Sequence, residues 1–116
     1  MKDSILLNKS KAFALRVVRL YKYLRDRKES VIAKQMLRSG TSIGANIAES
    51  RYAQSKSDFA SKLQIALKEA AETQYWLELL RDVELVKSDK AFTSLCDDCI
   101  ELIKLLTSSV KTAKGK

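Results

Sequence analysis

Apolar side chains recur every three or four positions along almost the whole chain, in four stretches separated by short polar runs. In the first, from about residue 4 to residue 27, Leu6, Phe13, Val17, Leu20, Tyr21 and Leu24 share one stripe at about 100° per residue, the amphipathic helix period. The second, 31–54, carries Ile32, Met36, Ile43 and Ile47 on its apolar side, with Ala33, Gly40 and Gly44 along the edge. The third, 57–85, aligns Phe59, Leu63, Ala66, Ala70, Thr73, Leu77 and Leu80. The fourth, 89–112, aligns Phe92, Leu95, Cys96, Cys99, Ile103, Leu106 and Val110. Ser30, then Ser55 or Ser57, and Ser88 stand where N-caps are needed, and Asp58 suits the positive end of the third helix. Four helices of this length, joined by short turns, predict an all-α, antiparallel up-down-up-down bundle roughly 35–40 Å long. Both termini then lie at one end, where Lys111–Lys116 reads as a frayed basic tail.

Residues 37–50 interrupt this pattern with small side chains. The stretch is almost without bulky residues and holds two glycines four apart, although glycine inside a helix costs about 1 kcal/mol relative to alanine. A continuous helix here implies an offsetting gain, namely close approach of a neighbouring backbone to Gly40 and Gly44. The competing reading is a loop centred on Ser39–Ser42. Gln35, Ser42, Asn46 and Glu49 gather on another side of the same helix, beside Arg38. No nucleophile–base pair is evident among them, so they read as a hydrogen-bonding network that fixes helix register.

The third helix carries a second apolar stripe, Ile65, Trp76, Leu79 and Val83. A monomeric bundle needs one apolar face per helix, so this one predicts a contact with another copy of the chain. The alternative is that Trp76, the only tryptophan, lies over the bundle's own edge.

Charge adds a further surface. The net charge is +8, but residues 1–28 hold nine Lys/Arg against two Asp, while residues 29–110 hold ten basic and twelve acidic side chains. On the first helix Arg16, Arg19, Lys22 and Arg25 step by three opposite the core stripe, and Lys11 joins them. A cationic row of this kind suits the phosphates of RNA or DNA, or it simply keeps the helix solvated. The 116 residues suit one domain, no uncharged stretch approaches the roughly 18 residues of a membrane span, and Met1–Ser4 shows no signal-peptide pattern. We expect a soluble cytoplasmic protein with no membrane role. Cys96-Asp97-Asp98-Cys99 has metal or redox spacing, but there is no histidine and no second pair. Both thiols fall on the apolar side, so no metal, cofactor or small-molecule substrate is expected.

The run Leu37-Arg38-Ser39-Gly40-Thr41-Ser42-Ile43-Gly44-Ala45-Asn46-Ile47-Ala48-Glu49 resembles the signature of the bacterial four-helix bundle family that includes the 23S rRNA intervening-sequence proteins. Arg38, Ser42, Ile43, Asn46, Ile47, Ala48 and Glu49 match that signature residue by residue, and Gly44 falls at one of its small positions. Lys56-Ser57-Asp58-Phe59, followed by Leu63-Gln64-Ile65-Ala66, is similar to the family's third-helix opening. Two departures bear on loop geometry: Ser50 stands where glycine is common, and the first helix lacks the usual tryptophan and closing phenylalanine-proline. The resemblance implies a left-handed bundle assembling as a ring-shaped homopentamer. Related accessory proteins of diversity-generating retroelements bind a reverse transcriptase and nucleic acid, whereas the intervening-sequence members have no established activity.

Two function classes therefore stand ahead of an enzyme, for which no catalytic residue is visible. One is an oligomeric scaffold that binds RNA or DNA through Lys11, Arg16, Arg19, Lys22 and Arg25. The other is a structural or protein-binding oligomer with no nucleic-acid role.

Overall fold

A computed structural model describes residues 2–115. It is an all-α four-helix bundle, 44 × 21 × 20 Å, of α1 (Lys2–Asp26), α2 (Val31–Ser50), α3 (Lys56–Asp82) and α4 (Lys90–Ala113). Each helix packs on its sequence neighbours, and α1 closes the bundle against α4. The buried positions step by three, four or seven: Leu6, Ser10, Phe13, Val17 and Leu24 on α1, and Phe92, Leu95, Cys99, Leu102, Leu106 and Val110 on α4. That is the spacing of coiled-coil-type packing. Sequence periodicity puts Cys96 and Ile103 in this stripe. They lie seven apart on its flank, half-buried, and Leu102 holds the centre.

The residue 37–50 stretch is helix to Ser50, and the loop reading is excluded. A methyl placed on Gly40 would sit 2.9 Å from Val17 Cγ1, and one on Gly44 would sit 3.2 Å from Ser10 Oγ. Both glycines therefore face α1, as close packing requires. Ser10 is fully buried opposite Gly44 and returns its hydroxyl to the Leu7 carbonyl at 2.8 Å. Among the described residues no buried side-chain nitrogen or oxygen lacks a hydrogen-bond partner.

The helix ends differ from expectation in instructive ways. α2 stops four residues early because Arg51, Tyr52 and Ala53 donate to carbonyls three residues back, tightening its exit into a turn. Ser30 begins α2 in helical conformation without a side-chain cap. Ser55 caps α3, accepting from the Asp58 amide at 3.0 Å, while Asp58 Oδ2 accepts from the Gln54 amide. On α4 the cap is Asp89 and not Ser88, because Asp89 Oδ1 accepts from the Phe92 amide at 2.9 Å. The expected frayed tail is helical to Ala113, which packs against the core, and Gly115 turns the chain with φ +73°. Lys116 lies outside the described residues.

α1 and α3 both end in a left-handed residue with paired return bonds. Glu29 donates to the Leu24 carbonyl and Lys28 to Arg25, and the same pattern joins Leu85 to Leu80 and Glu84 to Arg81. Lys28 (φ 64°) and Glu84 (φ 61°) hold positions that glycine adopts without a Cβ penalty. Glu84→Gly is thus expected to stabilise the bundle by up to about 1 kcal/mol, read as a higher denaturant midpoint. A lower midpoint would mean that Glu84 makes contacts outweighing its backbone strain.

Candidate nucleic-acid and assembly surfaces

The cationic row of α1 divides into two sets. Lys11, Arg19 and Lys22 are exposed and form no ion pair among the described residues. Arg16 turns instead onto α4. Its Nη1 lies 2.6 Å from Asp98 Oδ2 and 3.2 Å from Ser94 Oγ, and its Nη2 donates to the Ala91 carbonyl at 2.9 Å. Lys9 adds a second α1–α4 bridge, to Glu101 at 3.3 Å. Arg25 pairs with Asp26 at 3.1 Å and stands over the Tyr21 ring. The sequence places Arg16 facing away from the core, but it is half-buried at a helix seam, where it fastens α1 to α4.

The network expected among Gln35, Ser42, Asn46 and Glu49 does not form, and of this group only Glu49, with the neighbouring Arg38, ties α2 to α3. Ser42 donates to the Arg38 carbonyl, and Asn46 Nδ2 donates to the Ser42 carbonyl, so both turn back along their own helix. Glu49 reaches α3 through Lys62 at 3.1 Å, and Gln35 is exposed. Arg38 spans the α2–α3 groove to Glu69 at 3.1 Å and to Glu72. Glu72 in turn accepts the Trp76 indole N–H at 2.9 Å. Beneath this chain the Ser39 and Thr73 hydroxyls hydrogen-bond each other at 2.8 Å, both fully buried. Of the remaining motif residues, Ile43 and Ile47 are core, and Gly44 and Ala48 are half-buried.

Glu69, Glu72, Ser39 and its bond to Thr73 escape a reading of the sequence as a polar network. The only local signal is the spacing Glu69, Glu72, Trp76 on one face of α3; the partner across the groove appears only once the register of α2 is known.

Hydrogen bonds from Trp76 and then Arg38 hold the Glu72 carboxyl below its ordinary value of 4.5. The bond to Glu72 in turn raises the Arg38 guanidinium. A carboxylate whose pKa is depressed by folding contributes stability above its unfolded value and loses it as pH falls through the lower, folded one. Emission of the single Trp76 is therefore expected to hold steady down to pH 4.5 and to change below it, with the step absent in Glu72→Gln. A midpoint at or above 4.5 would show that the ionised form is not favoured.

On α3, Trp76 and Leu79 are half-buried, Ile65 is exposed, and Val83, just past the helix, is 49 % exposed. Tyr75 is more exposed and meets Trp76 edge-on, with ring centroids 5.1 Å apart. Trp76, Leu79 and Val83 cluster at one end. Ile65 lies eleven residues before Trp76, about 16 Å along the axis, beyond the Arg38 ion pairs. Trp76 also packs on the core's margin, so the alternative reading holds for part of its ring.

Cys96 and Cys99 are free thiols. Cys99 is buried, its sulfur donating toward the Ala70 carbonyl at 3.4 Å, and burial pushes the thiol up to about 12. Burial raises Cys96 too. Neither is a ready thiolate, and among the described residues no group of three His, Cys, Asp or Glu could hold a metal ion. No helix among these residues is long and apolar enough to cross a membrane.

Fold and surfaces together define a four-helix bundle with intramolecular polar seams and a partly exposed apolar patch on α3. The model of the 23S rRNA-intervening sequence protein family matches residues 2–108, and the chain belongs to that family. Among solved structures, it is similar to a protein of unknown function from the S23 ribosomal protein family of Bacteroides thetaiotaomicron. The two share 54 % identity over 96 % of this chain and 99 % of that one, with a TM-score of 0.91. No curated protein matches the chain.

Proposed function

We propose that the protein is a non-enzymatic scaffold, a bundle that associates with copies of itself through the outer face of α3 and presents α1 to RNA or DNA. The observation that carries this reading is the partly uncovered apolar cluster of Trp76, Leu79 and Val83, with Tyr75 beside it, on a molecule whose core and buried polar groups are already satisfied. Five copies is the number that the family resemblance implies. The charged side chains near the motif pair across helices, which gives them a structural use and leaves no general acid–base pair. Free thiols at Cys96 and Cys99 suit a reducing cytoplasm.

For nucleic acid, Lys11, Arg19 and Lys22 supply the unpaired charge, and an oligomer repeats it, so weak contacts add as avidity. Binding is expected to fall steeply between 50 and 200 mM salt, because releasing phosphate counterions gains less free energy as bulk salt rises, an effect of roughly tenfold or more. Reversal of Lys11, Arg19 and Lys22 to Glu should abolish it with circular dichroism unchanged. Arg16 is left intact in that variant because it is bonded to Asp98. The commitment of Lys9, Arg16 and Arg25 to acidic neighbours favours the second reading, an oligomer with no nucleic-acid role. Failure of the parent to retain RNA or DNA at low salt would decide for it.

A further inference from the structure

Between α1 and the start of α4 lies a groove of about 370 Å³, within the roughly 300–1,000 Å³ range of small-ligand sites. Its floor is apolar, formed by Leu20, Phe92 and Leu95, and its rim carries Arg19, Tyr23 and Lys87. We infer that this groove receives one unstacked base of a single-stranded nucleic acid, with Tyr23 as the stacking platform. The inference rests on the nucleic-acid reading above and narrows it to single strands.

Three observations support it. Tyr23 is 49 % exposed although it lies beside an apolar floor, and the Arg27 guanidinium stands 5.1 Å from its ring centroid. The ring is thus steadied by a cation and retains open surface. Second, the rim is positive on balance: Arg19 and Lys87 outweigh Asp89, the one acid among the lining residues, whose carboxylate is turned to the α4 cap, and the nearby Asp98 is neutralised by Arg16. Arg19 and Lys87 form no ion pair among the described residues. Third, Arg19 belongs both to this rim and to the exposed row with Lys11 and Lys22, so a strand following the row arrives at the groove. A duplex keeps its bases stacked and paired and can offer only its backbone here, whereas a single strand can turn a base onto an aromatic ring. Arg16, bonded to Asp98, Ser94 and the Ala91 carbonyl, closes one side of the groove.

Fluorescence anisotropy of the full-length protein at low salt tests this with a labelled twelve-nucleotide RNA and the duplex of the same sequence. The parent is expected to bind the single strand at least fivefold more tightly. Tyr23→Ala should weaken the single strand about tenfold, within the range for loss of one base–aromatic stack, and leave the duplex within twofold. Tyr23→Phe should bind as the parent does. Equal affinity for both probes, or a Tyr23→Ala loss that is absent or common to both, overturns the inference while the salt-dependent reading stands. Binding of neither probe overturns both.

Discussion

Gly40→Leu is expected to destabilise the bundle by about 3 kcal/mol and to lower its thermal midpoint by about 12 °C. A first side-chain carbon at this site would lie 2.9 and 3.1 Å from the two Val17 methyls, and Val17 is itself fully buried and β-branched, with no room to withdraw. The remaining leucine atoms must push α1 away from α2. Gly44→Leu is expected to do the same, because a Cβ there lies 3.2 Å from Ser10 Oγ and 3.7 Å from the Ser10 carbonyl carbon, which is backbone. The alanine variants separate the two sites. At Gly40 the gain of about 1 kcal/mol in helix propensity is opposed by a clash costing about 1–3, for a net loss. At Gly44 the Ser10 hydroxyl can shift by a few tenths of an ångström, so alanine should be close to neutral. Thermal circular dichroism at one fixed protein concentration measures all four. Leucine midpoints equal to the parent's would remove close approach as the reason for the glycines.

Periodicity carries some features of this fold and leaves others open. Four helices, their order and most of the core follow from the three-and-four rhythm, since a side chain's angle around a helix depends on local spacing alone. So does the glycine face of α2, which declares its need for a close neighbour through the unfavourable cost of glycine itself. The sequence does not identify the neighbour: Val17 and Ser10 become visible only when α1 is set against α2, and Ser10 is polar on a core stripe. The same gap explains Arg16. By angle it belongs with Arg19 and Lys22, but a long side chain reaches several ångströms sideways, and Asp98 lies 82 positions away in the chain. Asp89 displaced Ser88 as the α4 cap for a smaller reason, because adjacent candidate caps differ by one residue and only backbone geometry chooses between them. The Arg38–Glu72–Trp76 chain was half visible, with its α3 half in the spacing and its α2 half dependent on register.

For the proposed assembly through α3, Trp76→Glu combined with Leu79→Glu is expected to give monomer without unfolding the bundle. Both side chains are only half-buried in the single chain, so the charges can reach water there, and the adjacent core residues Leu77 and Leu80 are left unchanged. In an assembly that buries this face, each interface would instead hold two unpaired carboxylates, whose desolvation costs several kcal/mol per ion. That exceeds the 1.4 kcal/mol per tenfold change in dissociation constant several times over, so dissociation should be complete at micromolar concentration. The Trp76 indole also donates to Glu72, so a milder variant is needed to separate assembly from the α2–α3 seam. Val83→Glu serves, because Val83 lies beyond the helix, is half-exposed and takes no part in the Arg38 network. Sedimentation velocity should show both variants shifted toward monomer, the double variant fully, while helical circular dichroism matches the parent. A parent that is monomeric at micromolar concentration, or variants that sediment as the parent does, would remove the α3 face from the assembly.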